Sequence, residues 1–474
     1  MSAIGTKSLS KSFIGTKEVT AIYIGNTKVY SNQQPPVSTA TTLGINNTTG
    51  ASVSCTIPIR WVSGSIEVLL DGTVVTTISS SSGNSPSISV PTGSHTVAID
   101  GGVFTFLSYI LGSANQGLLT SISFGNNYGT AFGNNVFTNT TNLQQAFVIP
   151  EGVTDIGEHC FNNSGVTSIT IPSSFRYFSG QPETKRDVFA SCQLLTQFIS
   201  NNSTYTTLNN GRLLVTGDTI IAAAMGGRTS YSIPSNSSIT TIGECAFEGL
   251  INLQSVTIPS NITTISRYAF AQSGLTSISI PSGVIRIYDH VFYACANTVS
   301  ISVAAANQYY DSRDNCNAII AKVNIYKTDG ETILYSKDTL VVGCKNTVIP
   351  STVKSIGENS FMGCYGLSSI TIPNGIERIS KQAFSECSTL NNVVVPSSVT
   401  GVYDWAFEKC DSLTNITFNH TASDSLTFAS AGTLSGVFYT KTARSMTVNY
   451  YGNSTVANYS YSSDNITATL NLLS

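Results

Sequence analysis

SIGENSFMGCYGLSSITIPNG (355–375), RISKQAFSECSTLNNVVVPSS (378–398) and GVYDWAFEKCDSLTNITFNHT (401–421) are three consecutive renderings of one unit. Phe361, Phe384 and Phe407 fall 23 residues apart, as do Pro350, Pro373 and Pro396, and Cys364, Cys387 and Cys410. Toward the N-terminus Phe247, Phe270 and Phe292 keep the same phase. Phe292 to Phe361 spans 69 residues, three periods, so the register survives an intervening variant stretch. A fixed short period predicts a solenoid whose coils bury their apolar faces only against their neighbours. Such folds offer long surfaces rather than closed pockets, so binding or architecture is the expected role.

Within a coil, Leu367, Ile370 and Ile372 follow the pattern of a strand with one buried face, and Pro373 ends it. Ile376 and Ile379 begin a second short strand, and the Ala-Phe region is expected to form a single helical or 3₁₀ turn. Six of the ten cysteines (Cys160, Cys192, Cys295, Cys364, Cys387 and Cys410) sit in or near this turn, where Leu250 and Thr140 take the same slot in other coils. Coils stack about 4.8 Å apart, slightly beyond the usual Cβ separation of a disulfide. A ladder of buried free thiols acting as small hydrophobes is the expectation.

Four regions follow from the pattern. Residues 1–33 carry a shorter repeat, with IGTK at Ile4, IGTK at Ile14 and IGNTK at Ile24, ten residues apart. Alternating segments such as VTAIYIG, with Tyr23, and KVYS read as short strands, and with the IGTK turns, including Lys17, form the expected docking module. The unit is too small to fold alone with assurance and is expected to pack on a partner or on copies of itself. After a Pro-stiffened linker, residues 37–110 read as a small β-sandwich, with Asp71-Gly72 as the strongest hairpin signal. About seven short strands in that length favour an immunoglobulin-like arrangement. The solenoid is expected over 118–420, with variant coils near 210–227 and 307–350. Residues 421–474 lose the period, become Tyr- and Thr-rich alternating strands, and suit a terminal β cap.

Composition limits the function. Only 10% of the 474 residues are charged, against about 25% in a typical chain. The net charge is −3 and no basic run stands out, which argues against nucleic acid or an anionic membrane as partner. No stretch approaches 18 consecutive apolar residues, so no membrane insertion is expected. The N-terminal MSAIGTKSLSKSFIGTKEV has no apolar core of a secretory signal. Low charge with abundant Ser and Thr suits β-rich particles working outside a cell, and a virus particle is one route there without a signal.

Catalytic equipment is sparse: the histidines are His95, His159, His290 and His420. His159 and His290 share a column two residues before the repeat phenylalanine, which elsewhere holds Cys245, Tyr268, Asn359, Gln382 and Trp405. Such a column is either ordinary surface variation or a recognition stripe. Trp405, with Tyr403 two before it, is the aromatic pair to weigh as a sugar-stacking or interface anchor, against packing beneath the C-terminal segment. Arg286, Tyr288, Arg267 and Tyr268 form a comparable cluster on earlier coils. Thr170, Thr257, Ser279, Thr371 and Thr417 form a candidate hydroxyl ladder on one strand face, where Thr is also simply a good strand former. Asp311, Arg313, Asp314 and Asn315 lack calcium-loop spacing and read as an Asx-turn with an internal Arg pair. No phosphate loop, nucleophile elbow or zinc signature occurs, so no catalytic residue, metal or cofactor is expected. A pair of glycosidase carboxylates needs no local motif, and nothing nominates one.

The repeated IPxxVxxIGxxAFxxCxxLxxIxIP unit over roughly 140–420 resembles the BspA-like class of leucine-rich repeats of bacterial surface adhesins. YDSRDNCNAII with LVVGCKNTVIP resembles a variant coil of that family from gut Bacteroidetes and their phages. The IGTK/IYIGNTKVYS decads resemble N-terminal segments of phage tail, baseplate or fibre proteins. Together these resemblances imply a mainly β leucine-rich repeat protein of the virion, a head or tail fibre or appendage assembled in the host cytoplasm. Its N-terminal segment would contact other virion proteins, and its solenoid a bacterial surface glycan or protein. A cellular surface adhesin and a capsular polysaccharide depolymerase are the competing readings.

Overall fold

The computed structural model describes residues 40–80, 85–178, 187–235, 238–429 and 436–474, with the backbone of four short strands before them. The chain forms two compact units, residues 1–105 with 121–129, and 106–120 with 130–474.

In the first unit the short strands pair as two antiparallel hairpins, Phe13–Ile14 with Lys17–Glu18 and Ala21–Ile24 with Thr27–Ser31. Ile4 and the side chains of Ile14, Lys17, Tyr23 and Ile24 lie outside the described residues. Farther on, Thr41–Asn47 pairs antiparallel with Gly93–Phe106, Ile59–Leu70 with Thr73–Ile78, and Val53–Thr56 with Ser87–Val90. Leu43, Ile45, Val68, Val97 and Ile99, all 0–1% exposed, make its core. The Asp71-Gly72 turn has positive φ at both residues (48° and 81°), the signature of a tight hairpin of right-handed twist.

The second unit is the solenoid, mainly β and built of coils of about 23 residues. Two parallel ladders run along it. One contains the two-residue strands Asp155–Ile156, Thr241–Ile242, Thr264–Ile265, Arg286–Ile287, Ser355–Ile356 and Arg378–Ile379. The other holds the longer strands that follow the cysteine slot, such as Ser168–Ile171 and Gln197–Ser200, then Asn392–Val395 and Asn415–Thr421. Each strand buries alternate apolar side chains, such as Ile169 and Ile171, Phe198, Val393 and Val395, so single coils present one apolar side to the next. Among the described residues no helix is long and apolar enough to cross a membrane.

The Ala-Phe region corrects the expected helical turn. In successive coils the residue two before the phenylalanine lies in the left-handed region: Asn135, His159, Cys245, Tyr268, His290, Asn359, Gln382 and Trp405 have φ of 54–61°. Two after it, Asn139, Asn163, Ser191, Gln272, Ala294, Glu386 and Lys409 do the same. These kinks turn peptide groups along the stacking axis. The N–H groups of Gln382, Phe384 and Glu386 donate to the carbonyls of Asp404, Ala406 and Glu408 of the next coil at 2.7–2.9 Å. Backbone pairing that a helix would satisfy internally is spent between coils, giving a third ladder.

Beneath this turn the phenylalanines stack nearly parallel. Centroids lie 5.0 Å apart for Phe361–Phe384, 5.3 Å for Phe384–Phe407 and 5.6 Å for Phe407–Phe438, with planes within 12°. Phe247, Phe270 and Phe292 form an equivalent run. Between Phe292 and Phe361 lies a cavity of about 30 Å³, and the apolar interior divides there into a cluster from Leu213 to Cys344 and another from Cys316 to Ile466.

The two variant coils are one device. Asn202 and Asn307 each direct Nδ2 at carbonyls of the preceding coil and accept two backbone N–H groups on Oδ1. Buried Tyr205 and Tyr310 follow, then antiparallel pairs: Leu213–Thr216 with Thr219–Ala223, and Ala318–Ala321 with Thr339–Gly343. Gly217 and Asp218 join the first pair directly. In the second, residues 322–338 intervene and carry an extra hairpin, Ile325–Tyr326 with Ile333–Tyr335. Asp218 and Asp338 hold the same place, their carbonyls accepting from Thr240 and Lys354 of the next coil at 2.9 Å. Residues 421–474, irregular in spacing, still extend the second ladder through Arg444–Tyr451 and Ile466–Leu472.

Candidate functional site

Directly after the inward Ile or Val of each strand of the first ladder comes a position that differs in size from coil to coil. It reads Gly243, Ser266, Tyr288 in one group of coils and Gly357, Ser380, Tyr403 in the next. Glycine is required at the start of each run, because a Cβ would stand 2.4 Å from the Ile220 carbonyl at Gly243 and 2.6 Å from that of Leu340 at Gly357. Two small residues followed by a tyrosine leave a depression closed by a ring. The outward residues of the strands line it too: Thr219, Thr241 and Thr264 in the first run, Thr339, Ser355 and Arg378 in the second.

Two grooves result, of about 450 and 470 Å³. The hairpin of the second variant coil lines both, offering Thr328 to the first and Lys327, Ile333 and Tyr335 to the second. Arg286 fixes the hairpin, its Nε donating to the Tyr326 carbonyl at 3.0 Å. Arg267 lines both grooves and pairs through Nε with Asp289 Oδ1 at 2.6 Å. Burial opposes ionisation of Asp289, but hydrogen bonds from His290 and Arg267 outweigh it and hold the carboxyl below its usual range. On the second groove's far side the Arg378 guanidinium lies 4.6 Å above the Tyr403 ring. Lys381, also lining it, holds its ammonium 5.0 Å above the Trp405 ring.

The structure thus brings Arg267, Tyr288 and Tyr403 to the grooves, makes Arg286 a support for the hairpin and Trp405 the platform of a lining lysine. Trp405 is half-exposed, at φ 57°, rather than buried beneath the C-terminal segment. Tyr268 stands aside, stacked on His290 at 4.8 Å. Lys327, Arg378, Lys381 and Glu358 were not singled out from the sequence. Their signal was the Gly-Ser-Tyr column, visible once residues are written one coil above another.

Other candidates resolve differently. The hydroxyl ladder is broken by apolar residues: Thr170 lies between Val148 and Ile199, and Thr417 beside Val394. Arg313 bridges Asp311 (2.9 Å) and Asp338 (2.8 Å), the internal pair expected there. The cysteines are free, and in the repeat slot they donate to the preceding coil's phenylalanine carbonyl: Cys295 to Phe270 (3.0 Å), Cys387 to Phe361 (3.2 Å) and Cys410 to Phe384 (3.1 Å). Burial pushes the Cys295 thiol up to about 11 and those of Cys192 and Cys410 to about 12, which suits structure rather than nucleophilic attack. A separate polar cluster joins His159 Nδ1 to Asp187 Oδ1 at 2.5 Å beside Cys245 and Glu248. Burial pushes Glu248 up to about 7.

The BspA type leucine rich repeat region matches residues 114–211, 227–333 and 341–457, in six copies. A leucine rich cell surface protein from Faecalibacterium prausnitzii is 20% identical over 69% of this chain and 85% of that one, at TM-score 0.31. Leucine-rich repeat proteins from Eubacterium ventriosum (18% identity, 72% and 92% covered, TM-score 0.39) and Bacteroides ovatus (18%, 85% and 98%, 0.33) are similar too. No curated protein matches. The family match spans well over half of the residues, and the chain belongs to the BspA-type leucine-rich repeat family.

Proposed function

We propose that this chain is a non-enzymatic attachment protein of a phage virion, a head or tail fibre or appendage. Residues 1–33 dock it to other virion proteins, and the solenoid binds a glycan or protein of the bacterial surface. The observation that carries the attachment role is the pair of open grooves flanking the hairpin at 325–335, where tyrosines and cations stand on a repeat scaffold. A wide, shallow site of this kind gives weak single contacts, and display of several copies multiplies them. The virion role draws on the IGTK decads at Ile4, Ile14 and Ile24.

The test is adsorption. Purified full-length protein should bind gut bacteria and compete with phage for them, and particles made without residues 1–33 should lack the protein. Normal occupancy on such particles refutes the docking role, and absence of binding to any host cell refutes attachment. Family membership fits a bacterial surface adhesin as well, and gene neighbours separate the two: capsid and tail genes, or envelope genes. A depolymerase would shorten capsular polysaccharide on incubation, whereas a binder leaves its length unchanged.

A further inference from the structure

We infer that the two grooves together take a linear anionic polysaccharide, a sugar chain bearing carboxylates. This rests on the attachment reading above and names its ligand. Charge is the first observation. In a chain with only 10% charged residues, four cations, Arg267, Lys327, Arg378 and Lys381, line one groove with two carboxylates, Asp289 and Glu358.

How the cations are held is the second. Arg378 and Lys381 rest on the rings of Tyr403 and Trp405. Among the described residues neither has a carboxylate within ion-pair distance, and nor does Lys327. A guanidinium or ammonium oriented by a ring keeps its donors and its charge for an incoming anion.

The neighbouring groove differs in chemistry. Thr219, Thr241, Thr264 and Ser266 supply hydroxyls, Glu244 a carboxylate opposite the charge of Arg267, and Tyr288 a ring, a set that meets sugar hydroxyls and the apolar face of a pyranose. Arg267, common to both grooves, sits where an extended chain would pass from one chemistry to the other. The hairpin is the third observation. The sister coil closes the same turn with Gly217 and Asp218 alone, so Asp338 with one residue before it would close this one; residues 322–337 add a wall to both grooves, seated on the core through buried Ile325 and Tyr335. The net charge of −3 and the hydroxyl-lined half favour a glycan over a nucleic acid.

The experiment uses the full chain and two polymers of one backbone, polygalacturonate and its methyl ester, at physiological salt. Dextran sulfate adds a sulfated chain that has no carboxylate, and single-stranded DNA an unrelated polyanion. Two variants probe the site: Arg378→Gln with Lys381→Gln, and replacement of residues 322–337 by one glycine, leaving Gly-Asp338 as in the sister coil. Arg176→Gln with Lys441→Gln, both exposed and away from the grooves, controls for net charge. The expected result is binding of polygalacturonate and not of its ester, and a loss of at least about tenfold in either groove variant, with the control pair unchanged. Binding of dextran sulfate alone would move the anion from carboxylate to sulfate and overturn the ligand named here. Equal binding of the ester, equal binding of DNA, or an unaffected Arg378/Lys381 variant each overturns the inference. Should that variant, with an unchanged unfolding midpoint, still adsorb to host cells like the parent protein, this inference fails while the attachment reading stands. Loss of all cell binding by the parent protein would instead sink the attachment reading.

Discussion

Replacing Phe384 by alanine tests whether the stacked phenylalanine column carries the solenoid's stability. Phe384 is 0% exposed and lies between Phe361 at 5.0 Å and Phe407 at 5.3 Å, with planes within 12°. Truncating a buried Phe costs about 3–5 kcal/mol in transfer and cavity terms, and each aromatic pair adds about 0.5–1.5 kcal/mol beyond burial. Two lost pairs put Phe384→Ala near the top of the range, about 5 kcal/mol. Phe292 is the internal control: half-buried, it has one parallel partner, Phe270 at 5.7 Å, and borders the 30 Å³ cavity on the other side. Its truncation should cost about 2 kcal/mol. Urea unfolding gives the two values, and hydrogen exchange gives their location. Coils contact only their neighbours, so Phe384→Ala should expose amides of the Cys316–Ile466 cluster and spare those from Leu213 to Val291. A difference below about 1 kcal/mol between the variants, or uniform loss of protection, would refute the reasoning.

Four further outcomes can be measured. Glu248 is raised from 4.5 to about 7 by burial, so the folded state holds a proton the unfolded chain has lost. Stability should therefore fall as pH rises from about 4.5 to about 7, by on the order of 3 kcal/mol, and Glu248→Gln should flatten that slope in thermal unfolding. Gly363 sits at φ 69°, and an added Cβ would meet the Ala294 backbone nitrogen at 2.8 Å and the Tyr293 ring at 3.0 Å. Gly363→Ala should thus cost at least about 1–2 kcal/mol and disturb the Tyr293–Glu386 hydrogen bond of 2.7 Å; an unchanged midpoint would contradict this. Trp405→Asn exchanges a contact with Lys381 worth about 0.5–1 kcal/mol for relief of left-handed strain of about 1–2 kcal/mol, so the midpoint should hold or rise. Cys387 and Cys410, 0% exposed with raised thiol pKa, should react with a thiol reagent only on unfolding; prompt native-state labelling would show the turn ladder to be open.

Spacing alone determined the solenoid. Phe361, Phe384 and Phe407 recur because every coil must offer its neighbour the same apolar side, and a translational stack writes that demand into the sequence as a fixed period. The thiol ladder was legible for the same reason, and so was the Asp71-Gly72 hairpin, whose conformation those two residue types favour. The left-handed turn was not. Tyr268 and Trp405 have no local preference for positive φ, and the backbone adopts it because three peptide groups per coil find partners in the next coil. The grooves left only a trace, the Gly-Ser-Tyr column. Gly357, Ser380 and Tyr403 become neighbours only when coils stack, and Lys327 joins them only because an extra hairpin rises from one turn of a variant coil. Period is a property of each coil against its neighbour, so the sequence states it; a binding face is a property of side chains from several coils at once, and only the tertiary structure brings those together.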